Sequence, residues 1–231
     1  MVTDDELRRI MPNCPTARRD EYLPFIQQAM EEFAITSYLR EAAFLAQLAH
    51  ESGELRYMEE IASGAAYEGR KDLGNTQPGD GKRFKGRGPI QLTGRANYKK
   101  YGDLLDVDLI NSPTVAATKE VGFRIAGQFW KLNGLNELAD QQKFETITRR
   151  INGGLNGQSD RVMYYNRAKQ VLNQDDVVLP AAASTDDVLS IARYVEREDD
   201  VLFEVSHLVR RASIKQLHPD IADAVSAGRI E

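Results

Sequence analysis

Between residues 61 and 94 the chain holds eight glycines (Gly64, Gly69, Gly74, Gly79, Gly81, Gly86, Gly88 and Gly94) and two prolines (Pro78 and Pro89). The sequence on either side reads as helix. Glycine reaches backbone angles closed to other residues and proline removes an amide donor, so no continuous helix runs through such a stretch. The chain must therefore carry a long, loop-rich lobe on a helical body. Irregular segments of that length inside a compact protein usually carry function.

The helical body can be followed element by element. Thr3-Asp4-Asp5-Glu6 forms a capping box that opens a short helix closed by Pro12 and Pro15. A second helix is expected from Pro24 to Phe33. Ser37 opens a third, where Tyr38, Ala42, Leu45 and Ala49 recur at helical spacing and Phe44 and Leu48 widen the apolar face. That helix delivers His50 and Glu51 at its end, and Ser52-Gly53 breaks it. Further helices are expected over residues 119–132 and 136–151, and from Ser159-Asp160 to about Asn173, while Pro89-Ile90-Gln91-Leu92 reads as a short strand. Gln174 to Ala183 reads as a linker, and a second capping box, Ser184-Thr185-Asp186-Asp187, opens an apolar series. The expected organisation is a mainly α domain over residues 1–175 and a helical C-terminal extension over 184–231, whose role the sequence leaves open.

A length of 231 residues with 42% hydrophobic side chains supports a real core. The formal charge of −5 argues against nucleic acid as the partner, because phosphate neutralisation needs a broad excess of Lys and Arg. One stretch departs from that average: Lys82, Arg83, Lys85, Arg87, Arg95, Lys99 and Lys100 occur without an intervening acid, as a positive surface or simply a solvated face. A lone Cys14 excludes an internal disulfide framework. No run of 18 apolar residues and no signal-like N-terminus is present. Synthesis in the cytoplasm without a signal peptide is expected, with no membrane insertion and with any extracytoplasmic target reached after lysis or by non-classical release.

His50-Glu51 invites a zinc reading, but Glu54 stands where a zincin needs its second histidine, and the three histidines His50, His207 and His218 assemble no metal site. Nucleophile-elbow and phosphate-loop motifs are absent too. What remains is a pair of carboxylates, Glu51 and Glu60. In one unbroken helix they would stand roughly 13 Å apart along the axis and about half a turn around it. The Gly53 break lets the chain fold back and set them across a cleft. Inverting glycoside hydrolysis needs such a pair, one acid for the leaving oxygen and one base for water, about 6.5–9.5 Å apart. By spacing alone Glu54, Glu59, Glu60 and Glu68 read equally well as surface acids.

Three motifs in order, His50-Glu51-Ser52-Gly53, then Phe84-Lys85-Gly86-Arg87-Gly88-Pro89-Ile90-Gln91-Leu92-Thr93-Gly94-Arg95-Ala96-Asn97-Tyr98, then Ile151-Asn152-Gly153-Gly154, make the chain resemble the family 19 glycoside hydrolases, which comprise chitinases and phage and bacterial endolysins. The resemblance covers about residues 20–173. It implies a lysozyme-like, two-lobed helical fold that works without a cofactor or metal. It also implies Glu51 as general acid, Glu60 as general base and Thr93 as the hydroxyl that holds the attacking water, with Glu59 or Glu68 as alternative bases. Gln91, Asn97 and Asn152 fall at polar positions lining the sugar cleft, His50 beside the acid, and Arg161 at a basic position supporting the carboxylates. Amides suit hydroxyl and acetamido groups, and a guanidinium favours an ionised base. A general acid, in turn, calls for burial or a negative neighbour at Glu51.

Two departures stand out. Glu54 occupies a place where the family commonly has glycine, and no cysteine pairs are present. Trp130 and Phe129 read as core, and Arg87 and Arg95 as braces for loops. The implied substrate is a β-1,4-linked polymer containing N-acetylglucosamine, with peptidoglycan expected ahead of chitin. A lytic transglycosylase and a sugar-binding relative without turnover are the competing readings.

Overall fold

The structure, a computed structural model, describes residues 1–173. The expected linker and C-terminal extension lie outside the described residues. Nine α-helices run through the described part: α1 (Asp4–Ile10), α2 (Thr16–Glu32), α3 (Tyr38–Ser52), α4 (Asp80–Arg83), α5 (Arg95–Leu105), α6 (Lys119–Leu132), α7 (Leu135–Asp140), α8 (Phe144–Asn152) and α9 (Gln158–Leu172). Short 3-10 turns occupy residues 65–67, 71–73 and 113–117.

α3 is the axis of the fold. Every residue from Glu41 to Ala49 is buried, as befits a helix enclosed on all sides rather than one lying on a surface. α9 packs along it, with α7 on another side, while α2 lies against α6 and α1 touches both α2 and α9. Aromatic pairs tie these layers: Phe44 of α3 meets Trp130 of α6 edge-on at 5.3 Å between centroids, and Tyr22 of α2 meets Phe123 at 5.5 Å. Trp130 is core, as expected, and its indole donates to Asn136 Oδ1 at 2.9 Å. The capping box at Thr3 is also present, with Glu6 reaching back to the Thr3 amide.

Expectations about several elements require correction. The second helix begins at Thr16 and runs through Pro24. Pro24 is tolerated because it sits on the exposed face, one turn after exposed Asp20, whose unpaired carbonyl water can serve. Residues 136–151 form two helices, since Gln142 turns left-handed at φ +53° and separates α7 from α8. Residues 89–92 are a turn: Arg87 and Leu92 exchange both backbone hydrogen bonds, at 3.1 and 2.7 Å, across Gly88 at φ +76°. Among the described residues only isolated bridges occur, and no strand. Finally, α5 went unread although Tyr98, Tyr101, Gly102 and Leu105 bury one face at helical spacing; the exposed lysines between them mask that periodicity.

The glycine-rich lobe is irregular but tightly connected. Asn75 is fully buried, accepting from the Arg95 amide at 2.8 Å and donating to the Tyr67 carbonyl at 2.9 Å. Arg95 forks onto buried Asp80 and covers the Phe84 ring at 4.7 Å. This mesh carries Glu60 and the Gln91-to-Asn97 segment.

Candidate active site

The end of α3 positions Glu51. Gly53, at φ +58°, terminates the helix in the left-handed conformation, and Glu51 sits half-buried in the last turn. Arg161 of α9, almost fully buried, meets the Glu51 carboxylate at 2.6 Å. The same guanidinium bonds to Gln47 Oε1, and the Gln47 amide in turn donates to Thr148 Oγ1 at 3.0 Å, so the guanidinium is held by α3 itself and, through Gln47, by α8. His50 Nδ1 lies 2.7 Å from Asp160 Oδ2. The charged neighbour of Glu51 is therefore a cation. The sequence calls for a negative neighbour or burial at Glu51 and for Arg161 in support of the two carboxylates; the structure sets Arg161 against Glu51.

Glu60 sits in a different setting. One carboxylate oxygen accepts from the Tyr67 hydroxyl at 3.0 Å and the other from the Gly86 amide at 3.0 Å, while its own amide donates to the Gly86 carbonyl at 2.9 Å. Burial first, and then the adjacent Glu60 carboxylate, push the Tyr67 phenol above its ordinary value, which keeps it a donor. A methyl group added at Gly86 would come within 2.7 Å of Gln91 Oε1 and 3.2 Å of Glu60 Oε2. Gly86 thus allows the amide of Gln91 and the carboxylate of Glu60 to converge. The two alternative bases are engaged otherwise. Glu59 pairs with Arg87 and Lys85, both at 3.2 Å, and Glu68 accepts the amides of Gly79 and Gly81 at 2.7 and 2.8 Å.

The remaining predicted residues lie in the 91–97 segment and at the end of α8. Thr93 donates its hydroxyl to the Gln91 carbonyl at 2.8 Å, leaving its oxygen to accept, and Asn97 donates to the Thr93 carbonyl at 2.9 Å from an exposed position. Gln91 itself is held at φ +54° and donates to the Gly88 carbonyl at 3.0 Å. Asn152 closes α8, and its buried Nδ2 has no hydrogen-bond partner. Among the described residues no group of three or more His, Cys, Asp or Glu is arranged to hold a metal ion. Tyr67 and Asp160 were missed by sequence reasoning. Neither stands in a motif, and only the fold brings them to Glu60 and His50.

The turn between the two glutamates is unusual. Gly53, Glu54 and Leu55 are consecutively left-handed, at φ +58°, +57° and +65°. For the two non-glycine residues this conformation costs about 1–3 kcal/mol each, so the surroundings must enforce it.

Comparison with known proteins first defines the class, which is that of glycosidases. A family model described as chitinase class I matches residues 34–142. A glycosyl hydrolase family 19 domain-containing protein of Haemophilus influenzae is 32% identical over 206 residues, spanning 76% of this chain and 98% of that protein. An endochitinase of Arabidopsis thaliana is 41% identical over 146 residues, covering 60% of this chain, which itself spans about half the length of that relative. Chitinase C from Streptomyces griseus superposes with a TM-score of 0.63 at 26% identity, covering 74% of this chain and 92% of its own. The chain belongs to the family 19 glycoside hydrolases.

Proposed function

We propose that the protein hydrolyses β-1,4 bonds between N-acetylglucosamine-type sugars with inversion, Glu51 serving as acid and Glu60 as base. The observation that carries this reading is the contrast between the two carboxylates. Glu60 is gripped by two neutral donors, Tyr67 and the Gly86 amide, and shares its place with the Gln91 amide. Each of its oxygens keeps a lone pair for a water proton. Thr93, its own proton already given to the Gln91 carbonyl, accepts the second hydrogen of that water. Water then attacks the anomeric carbon as its proton passes to Glu60. The glycosidic bond breaks, and the leaving oxygen takes the proton of Glu51. Glu51 ends as a carboxylate against Arg161, so the guanidinium stabilises a charge that appears as the bond breaks.

Replacing Glu51 with Gln is expected to lower kcat by about 10²- to 10⁴-fold, with the fold intact by circular dichroism. Near-wild-type turnover in that variant would remove Glu51 from the role.

Chitin is the substrate favoured by the relatives' names, two of which are an endochitinase and a chitinase. A positive surface over residues 82–100 that would meet the acidic peptides of peptidoglycan receives little support from the side chains. Lys85 and Arg87 are committed to Glu59, Arg95 to Asp80 and Lys99 to Asp103. Reducing-end release from chitin oligomers should exceed that from purified peptidoglycan. The opposite ranking would assign the enzyme to the bacterial wall, and anhydro-muramic products would replace hydrolysis by lytic transglycosylation.

A further inference from the structure

We propose that Glu54 is a positioning residue for the catalytic pair: its buried carboxylate pins the left-handed turn of residues 53–55 and thereby fixes where Glu60 stands with respect to Glu51. The inference rests on the glycosidase reading of that pair. Glycine alone adopts three successive left-handed steps at ease, yet two of the three here are Glu54 and Leu55. Both are buried, at 4% and 0% exposure. A charged side chain in that position is retained only if it is fully bonded.

Glu54 is. Its carboxylate accepts from the Asn13 amide at 2.5 Å, from Asn13 Nδ2 at 2.9 Å and from the Tyr164 hydroxyl at 2.6 Å. Burial, followed by the nearby Glu54 carboxylate, pushes the Tyr164 phenol up, which keeps its proton in place as a donor. Asn13 lies between α1 and α2, and Tyr164 lies on α9, so one carboxylate ties the turn to two separate parts of the helical body. The backbone is tethered alongside it: the Glu54 amide donates to the Ala49 carbonyl at 2.7 Å, and the Leu55 amide to Ser52 Oγ at 2.8 Å.

Beyond the turn, exposed Arg56 and Tyr57 lead to Met58, whose carbonyl accepts the Gly88 amide at 2.8 Å, and then to Glu60. The chain thus passes from the helix that holds Glu51 to the mesh that holds Glu60 through this one junction. All three partners of Glu54 are donors, so the function requires a carboxylate and not merely a side chain of that shape.

The test compares wild type with Glu54→Gln, Glu54→Gly and Asn13→Ala on chitin oligomers, well below the melting temperature of each. Glutamine turns an amide NH2 toward donors, glycine relaxes the backbone but removes the anchor, and Asn13→Ala removes one anchor from a distance. Displacing a catalytic group by a fraction of an ångström to 1 Å should lower kcat by about 10- to 100-fold in the two Glu54 variants, with KM within about twofold, and less in Asn13→Ala. Melting temperatures that fall while kcat on the folded enzyme stays within twofold would reduce Glu54 to a purely structural role and overturn the proposal. Should Glu54→Gln fail to fold, the glycine and Asn13 variants decide. If wild type itself releases no product, the glycosidase reading fails first, and that result is distinguishable because the variants then have no activity to lose.

Discussion

Tyr67 gives its hydroxyl proton to one oxygen of Glu60, and no other side chain contacts that carboxylate by a hydrogen bond among the described residues. A hydrogen bond to a charged group contributes about 1.5–3 kcal/mol. Tyr67→Phe, which keeps the ring, should therefore lower kcat about tenfold while KM stays within about twofold; equal turnover in the two proteins would show that Gly86 alone fixes the base. A second single-residue effect belongs to Gly157. It stands at φ +70°, and a methyl group there would come within 2.3 Å of the His50 ring. Gly157→Ala should destabilise the fold by about 1–3 kcal/mol in denaturant titration and separate His50 from Asp160. At this scale the sequence was informative where a side chain's identity is its function. Glu51 and Glu60 were singled out by the family motifs around them, since by spacing alone they read equally well as surface acids. The role of Tyr67 was not, because its partner is seven residues away through a loop with no periodicity to follow.

Helices α2, α7, α8 and α9 show how element limits follow from local chemistry that pattern alone misjudges. Pro24 reads as a start signal, yet it stands on a solvent-facing turn, where water can serve the carbonyl it leaves unpaired, and the helix passes through it. Ser159-Asp160 reads as a cap, yet α9 begins at Gln158 after left-handed Gly157, and the Asp160 carboxylate serves His50. The glycine-rich lobe was legible as irregular but not in its wiring, which rests on long-range pairs such as Asp80 with Arg95. That pair makes a prediction about acid. The Arg95 guanidinium, directly bonded to Asp80, holds the carboxyl below its ordinary value of 3.8. A carboxyl whose pKa is lower when folded stabilises the protein fully above that ordinary value, and the contribution fades as pH falls through 3.8 toward the folded value. Asp80→Asn should therefore cost about 1–3 kcal/mol at neutral pH, and thermal melts should show its deficit shrinking below pH 4. A deficit that is constant with pH would mean the pair acts by shape and not by charge.

In the described part of the molecule, stability and the site share α3. Leu45 is fully buried in it, and Leu45→Ala should cost about 2–5 kcal/mol by the loss of packed volume, lowering the melting temperature while the enzyme that remains folded keeps its kcat. The mainly helical class was legible from the apolar repeat of α3 and from the capping box at Thr3, whereas the packing of α9 along α3 was not, since nothing local to either helix names its partner. That packing has a temporal consequence. Glu51 and Glu60 lie within the first 60 residues, but the guanidinium that meets Glu51 belongs to position 161, beyond the span matched by the family model, which stops at 142. On the ribosome the proposed acid and base therefore emerge about a hundred residues ahead of the guanidinium that meets Glu51. A nascent chain released before α9 should be catalytically silent, and activity should switch on only once the last described helix has been made.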